Sequence, residues 1–174
     1  MTVSDPPAQS ICIGCGLCCD GTLHPEVYME RGDDEIVAAE GLSIFEKGGK
    51  PVFAQPCPKF AGGSCSIYDR RPGVCRHYRC KLLKEAEEGK VGLAEARARI
   101  RTTKSLIETV RLHSPEAVTA EGRIMFAKRL RETRAKLLVA RALLDLSALE
   151  YALERWFMFQ TRKSLESPEE PPSG

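Results

Sequence analysis

Eight cysteines stand in the first 80 residues, Cys12, Cys15, Cys18, Cys19, Cys57, Cys65, Cys75 and Cys80, and none in the 94 that follow. Thiolates are soft ligands that hold zinc or iron, the latter also as iron–sulfur clusters. The first group reads C-I-G-C-G-L-C-C and contains two overlapping Cys-x-x-Cys pairs, Cys12 with Cys15 and Cys15 with Cys18. The turn inside such a pair lets both thiolates converge on one metal, and Gly14 and Gly16 relieve the backbone on either side of Cys15. Three thiolates at this spacing match bacterial iron–sulfur runs, in which a remote Cys-Pro supplies a further ligand, and Cys57-Pro58 suits that position. Structural zinc instead takes one such pair plus a second pair from elsewhere, so eight thiols would make two four-thiolate sites. The spacing alone leaves the metal open. Cys18 and Cys19 are adjacent and project apart, which argues that they serve different centres or that one is a spare reactive thiol.

The second group lies in C-P-K-F-A-G-G-S-C-S-I-Y-D-R-R-P-G-V-C-R-H-Y-R-C. Its Gly62-Gly63 and Pro72-Gly73 dipeptides are turn signals that bring cysteines back on themselves. Arg70, Arg71, Arg76, Arg79 and Lys81 crowd Cys75 and Cys80, where guanidiniums would offset thiolate charge and donate hydrogen bonds to sulfur. His77, between those two cysteines, is a candidate replacement ligand. His24 and His113 are lone histidines, for which structural roles are expected.

Elements must position these ligands, and the composition divides the chain. Residues 1–10 read as a disordered lead. Residues 11–83 read as a small, irregular α+β metal-binding domain with few apolar runs, closed by ligation rather than burial. Within it, Leu42–Phe45 and Pro51–Ala54 are expected strands joined at Gly48-Gly49, and Arg31–Glu40 a short helix. From Lys81 onward Ala, Leu, Glu and Arg dominate, a helical composition. Leu93, Ala96, Ile100, Ile107 and Val110 share one helix face. Ser114-Pro115 looks like a helix start, with Ser as N-cap. Leu130, Leu137, Leu144, Tyr151 and Met158 recur every seven residues, which predicts one long helix with a buried stripe. Residues 84–163 are therefore expected to form an all-α hairpin of helices 93–113 and 120–160. Trp156-Phe157-Met158-Phe159 is the expected exposed apolar patch, and 164–174 an unordered, Pro-rich tail.

Net charge is +2, which implies no overall electrostatic partner. Residues 97–136 carry 11 Lys/Arg against 4 Asp/Glu, a density that suits a solvated helical face. Nucleic-acid binding is not expected, because Phe126 is the only aromatic residue there. The N-terminus lacks a basic segment followed by an apolar core, and no run of 18 apolar residues exists. A cytoplasmic location and no membrane contact are expected, and in that reducing compartment eight thiols are metal-bound rather than paired as disulfides. The helices offer a surface for a homodimer or another protein partner.

The motifs C-I-G-C-G-L-C-C, C-P, C-S-I-Y-D-R-R-P-G-V-C-R and Y-R-C resemble the CxxCxxCC cysteine-cluster family of bacteria over residues 11–83. The resemblance implies a zinc- or iron-chelating domain in which all eight cysteines are metal ligands. Members are often labelled Fe–S oxidoreductases, so an iron–sulfur enzyme is the alternative function. The chain offers no Ser/His/Asp set and only three histidines, little equipment for acid–base catalysis.

Overall fold

The computed structural model describes residues 9–133 and 136–159. Residues 1–8 of the expected lead, and the expected tail, lie outside the described residues. Gln9–Ile11 form a single 3-10 turn.

The architecture is mixed α+β, with small antiparallel sheets near the N-terminus and most helices in the C-terminal part. Strands β1 (Glu26–Tyr28), β2 (Ile44–Lys47) and β3 (Lys50–Ala54) form a sheet ordered β1-β3-β2. The β2–β3 hairpin turns where expected, with Lys47 opposite Lys50. Gly48 and Gly49 have φ of 58° and 73°, a left-handed turn that favours glycine. Helix α1 (Asp33–Ala39) falls inside the expected Arg31–Glu40. A two-residue ribbon, β4 (Phe60–Ala61) with β5 (Ser64–Cys65), precedes helices α2 (Gly73–His77) and α3 (Lys81–Glu87). Burial in this part is thin: Val37, Leu42 and Phe53 form its own cluster, with Cys57 and Cys75 packed against it.

Helix α4 spans Leu93–His113 and buries Ala96, Ile100, Ile107 and Val110 as its periodicity predicts, with Thr103 buried beside them. The second helix of the expected hairpin is instead two, α5 (Ala120–Glu132) and α6 (Lys136–Trp156). The helix start also lies further on than Ser114: Pro115–Val118 is a 3-10 turn, and the Thr119 hydroxyl caps α5 by accepting from the Gly122 amide at 3.1 Å. Gly122 lies in the first turn of α5. A Cβ there would sit 1.8 Å from the Glu116 carbonyl oxygen, so glycine lets the 3-10 turn pack under the first turn of α5.

The seven-residue stripe does not survive the break. Leu130 is buried, but Leu137, Leu144 and Tyr151 are 85%, 68% and 66% exposed. Burial on α6 falls on Ala142, Leu146, Leu149 and Leu153, the opposite face. Two apolar faces of unequal partnership produced the period, and only the 3–4-spaced one meets the core. Phe157, expected at an exposed patch, is buried, while Met158 and Phe159 remain exposed.

The largest core runs across residue 83. It joins Leu17, Leu23, Leu82 and Leu83 to Ile100, Leu149, Leu153 and Phe157. Polar ties follow the same seam. Ala120 N–H donates to Gly21 O at 2.9 Å, and Lys81 N–H to Phe157 O at 3.1 Å. The Arg123 guanidinium, 5% exposed, donates to Thr22 O at 2.8 Å, to Val118 O at 3.0 Å and to Glu150. One of the cations counted in the basic 97–136 stretch is therefore a buried connector between the cysteine-rich part and the helices.

Candidate metal centre

All eight cysteines line one cavity of about 560 Å³, and all eight are free. The first group reaches it through a tight loop. Cys15 N–H donates to Cys12 O at 3.1 Å, and Cys19 and Asp20 N–H both donate to Gly16 O. Gly16 has φ of 75°, and a Cβ there would fall 2.0 Å from the tip of the Phe60 ring. The loop therefore lies directly on the turn that carries the second group. The Cys57 amide donates to Cys19 O at 2.8 Å, which joins the two groups through backbone. Cys65 sits on β5 opposite Phe60, and Cys75 on α2. Cys80 caps α3, its sulfur accepting from the Leu83 amide at 3.5 Å.

Burial dominates the electrostatics. It pushes the thiols of Cys15 and Cys75 up to about 12, and raises that of Cys12 too, although Cys12 as a whole residue is exposed. Cys18 is raised through its 3.7 Å sulfur contact with Cys19 and then burial; the two thiols meet rather than project apart as their adjacency suggested. Cys57 and Cys80 are raised by burial too. Neighbouring thiols add to this in two sets. Cys18 and Cys80 raise Cys12 and Cys15, and Cys18 raises Cys80; Cys65 raises Cys57, and Cys57, Cys18 and Cys65 raise Cys75. Clustered thiols in a low-dielectric site ionise only with a compensating cation, and a bound metal supplies one. Arg71 opposes the rise at Cys12 and Cys75, and Arg79 does so at Cys12. Arg71 is fixed by Tyr68, whose ring lies 3.7 Å beneath its guanidinium. Arg70 pairs instead with Glu40, and Lys81 with Arg155 O.

His77 is not among the residues that line this cavity: its Nδ1 lies 2.8 Å from Glu30 Oε2, on the exposed side of α2. Cys57, the candidate remote ligand of the first loop, lines the cavity with that loop and has Cys65 as a neighbouring thiol. His113 pairs with Asp145 at 2.8 Å, the expected structural role.

Sequence reasoning missed two groups at the cavity. His24 Nε2 lies 2.8 Å from the Tyr78 hydroxyl, the rings edge to face. Burial lowers the His24 pKa, and burial with the nearby thiols raises that of Tyr78. Asp33 was missed as well. Its carboxylate, 2% exposed, accepts from the amides of Gly73, Val74 (3.1 Å) and Glu30 (2.9 Å). It thereby fixes the first turn of α2 that carries Cys75. Asp33→Ala would strand three donors, and we expect a loss of about 3 kcal/mol in urea unfolding. A loss below about 1 kcal/mol would remove Asp33 from this role.

The donor set fits a soft metal: eight thiols line one cavity, and the carboxylate in that lining, Glu26, is taken up by Lys47 at 2.7 Å. Gln55 Oε1 is buried without a partner among the described residues and belongs to the same lining. The thiols do not already converge on a point. Among the described residues, no group of three or more His, Cys, Asp or Glu side chains is arranged to hold a metal ion.

No curated protein and no solved structure matches the chain. Residues 11–103 match the model of the CxxCxxCC family, described as a "putative zinc- or iron-chelating domain". The match runs past residue 83 into α4, in keeping with the core that crosses that point. It covers more than half of the 174 residues, and the chain belongs to the CxxCxxCC family.

Proposed function

We propose that the chain binds zinc or iron through its eight cysteines as two four-thiolate sets, in a structural or carrier role. Cys12, Cys15, Cys18 and Cys80 form the first set; Cys19, Cys57, Cys65 and Cys75 form the second. The observation that carries this is the one cavity lined by all eight thiols, and the proposed division follows which thiols neighbour which. It is supported by the Cys57–Cys19 backbone bond, which brings the neighbour of Cys18 to the second group. Adjacent residues then serve adjacent centres. A reducing, cytoplasmic setting belongs to this reading because eight free thiols hold metal only where they stay reduced. Among the described residues no helix is long and apolar enough to cross a membrane.

The second reading is an iron–sulfur oxidoreductase. It is favoured by the exposed position of Cys12, which would bring a cluster in the first set within reach of an electron partner. Anaerobic purification with metal analysis separates the two. Zinc gives a colourless protein with about two metals per chain, and an iron–sulfur centre a brown one with acid-labile sulfide. A folded, metal-free chain would contradict both.

The exposed Leu137, Leu144 and Tyr151 face of α6 is read as a contact surface for a second copy or another protein. A monomer mass at every concentration in sedimentation, unaltered by Leu144→Arg, would refute the homodimer.

A further inference from the structure

A second cavity, of about 210 Å³, lies behind the first cysteine loop, between that loop and α4. Ile11, Ile13 and Ile100 supply its apolar surface, and Ser10, Arg97 and Arg101 its polar groups. No carboxylate lines it among the described residues. Arg97 and Arg101 are one turn apart on α4, and Lys104 continues the same face. Lys104 is committed to the loop, its ammonium donating to Gly14 O. Arg97 has a single long contact, 3.4 Å to the Ser10 hydroxyl. Arg101 has no ion-pair partner among the described residues. The acids of α4 are engaged elsewhere, Glu95 with Arg99 and Glu108 with Arg111. The thiol charge is met from the far side by Arg71 and Arg79. Two exposed guanidiniums therefore line an open, partly apolar hollow with no counter-charge of their own among the described residues.

We propose that this pocket binds a small organic oxyanion, a phosphate or carboxylate with a short apolar body, held by Arg97 and Arg101. Guanidinium forks match both groups bidentately, and the isoleucines shelter the apolar end. Cys15 belongs to the lining of both cavities. A ligand here would therefore lie against the backbone of the first thiolate set without displacing any thiol.

The test is calorimetry on the full, metal-replete chain with inorganic phosphate and, separately, butanoate, against chloride at equal ionic strength. We expect one site per chain for at least one probe, and the preferred probe tells phosphate from carboxylate recognition. Arg97→Gln and Arg101→Gln should each weaken binding about tenfold or more. Lys128→Gln, which removes a cation from α5 away from the pocket, should leave it unchanged. Metal content and thermal melting of the same samples separate loss of the pocket from loss of the fold. No binding above chloride, or equal weakening in Lys128→Gln, would overturn the proposal.

Discussion

Stripping the metal with a chelator is expected to unfold residues 11–83 and to loosen the ends of α4 and α6 that pack on them. The cysteine-rich part has its own cluster of only Val37, Leu42 and Phe53, far too little to offset the chain entropy of some 70 residues. Structural zinc contributes an apparent ~10–16 kcal/mol at neutral pH, as much as a whole domain's net stability. The loss should spread because Leu17, Leu23, Leu82 and Leu83 share a core with Ile100, Leu153 and Phe157. Contacts among α4, α5 and the middle of α6 should persist. Hydrogen exchange on the chelated protein reads this directly. Protection should vanish at β1–β3 and α2, weaken near Ile100 and Leu153, and remain near Val110 and Leu146. Unchanged melting and exchange after verified metal removal would contradict the account.

The second large effect concerns single thiols. Replacing Cys15 or Cys80 by Ser should lower bound metal from about two to about one per chain, and so should Cys57→Ser or Cys75→Ser. The informative comparison is between the sets. A double variant within one set, Cys15→Ser with Cys80→Ser, should still keep about one metal, whereas Cys15→Ser with Cys75→Ser should keep almost none. Equal metal loss in both doubles would mean one shared centre. Full retention in Cys15→Ser would remove that residue as a ligand.

Local signals carried much of the fold. Gly48-Gly49 between two β-prone runs fixed the β2–β3 hairpin, because a two-residue turn needs φ > 0 and glycine supplies it. One apolar face at helical spacing fixed α4. What failed was long-range. The heptad from Leu130 to Met158 treats two helices as one, and period counting cannot distinguish a face that meets the core from one that meets solvent. Ser114-Pro115 has the chemistry of a helix start, but the Glu116 carbonyl under Gly122 and the Thr119 cap moved the start five residues on. At the site, the eight cysteines that line the cavity were legible from the sequence. The placing of Cys80 was not, because it depends on long-range bonds of the next residue, Lys81, to Phe157 and Arg155 at the end of α6. Asp33 lies 40 residues from the Gly73 amide it holds, and no local pattern marks such a bond.

The central claim is that sulfur alone surrounds the metal. X-ray absorption at the metal edge of the anaerobically purified chain tests it most directly. The account predicts a first shell of about four sulfurs near 2.3 Å for zinc, with no nitrogen or oxygen scatterer. A shell dominated by nitrogen or oxygen, or a folded chain with no metal to measure, would contradict it.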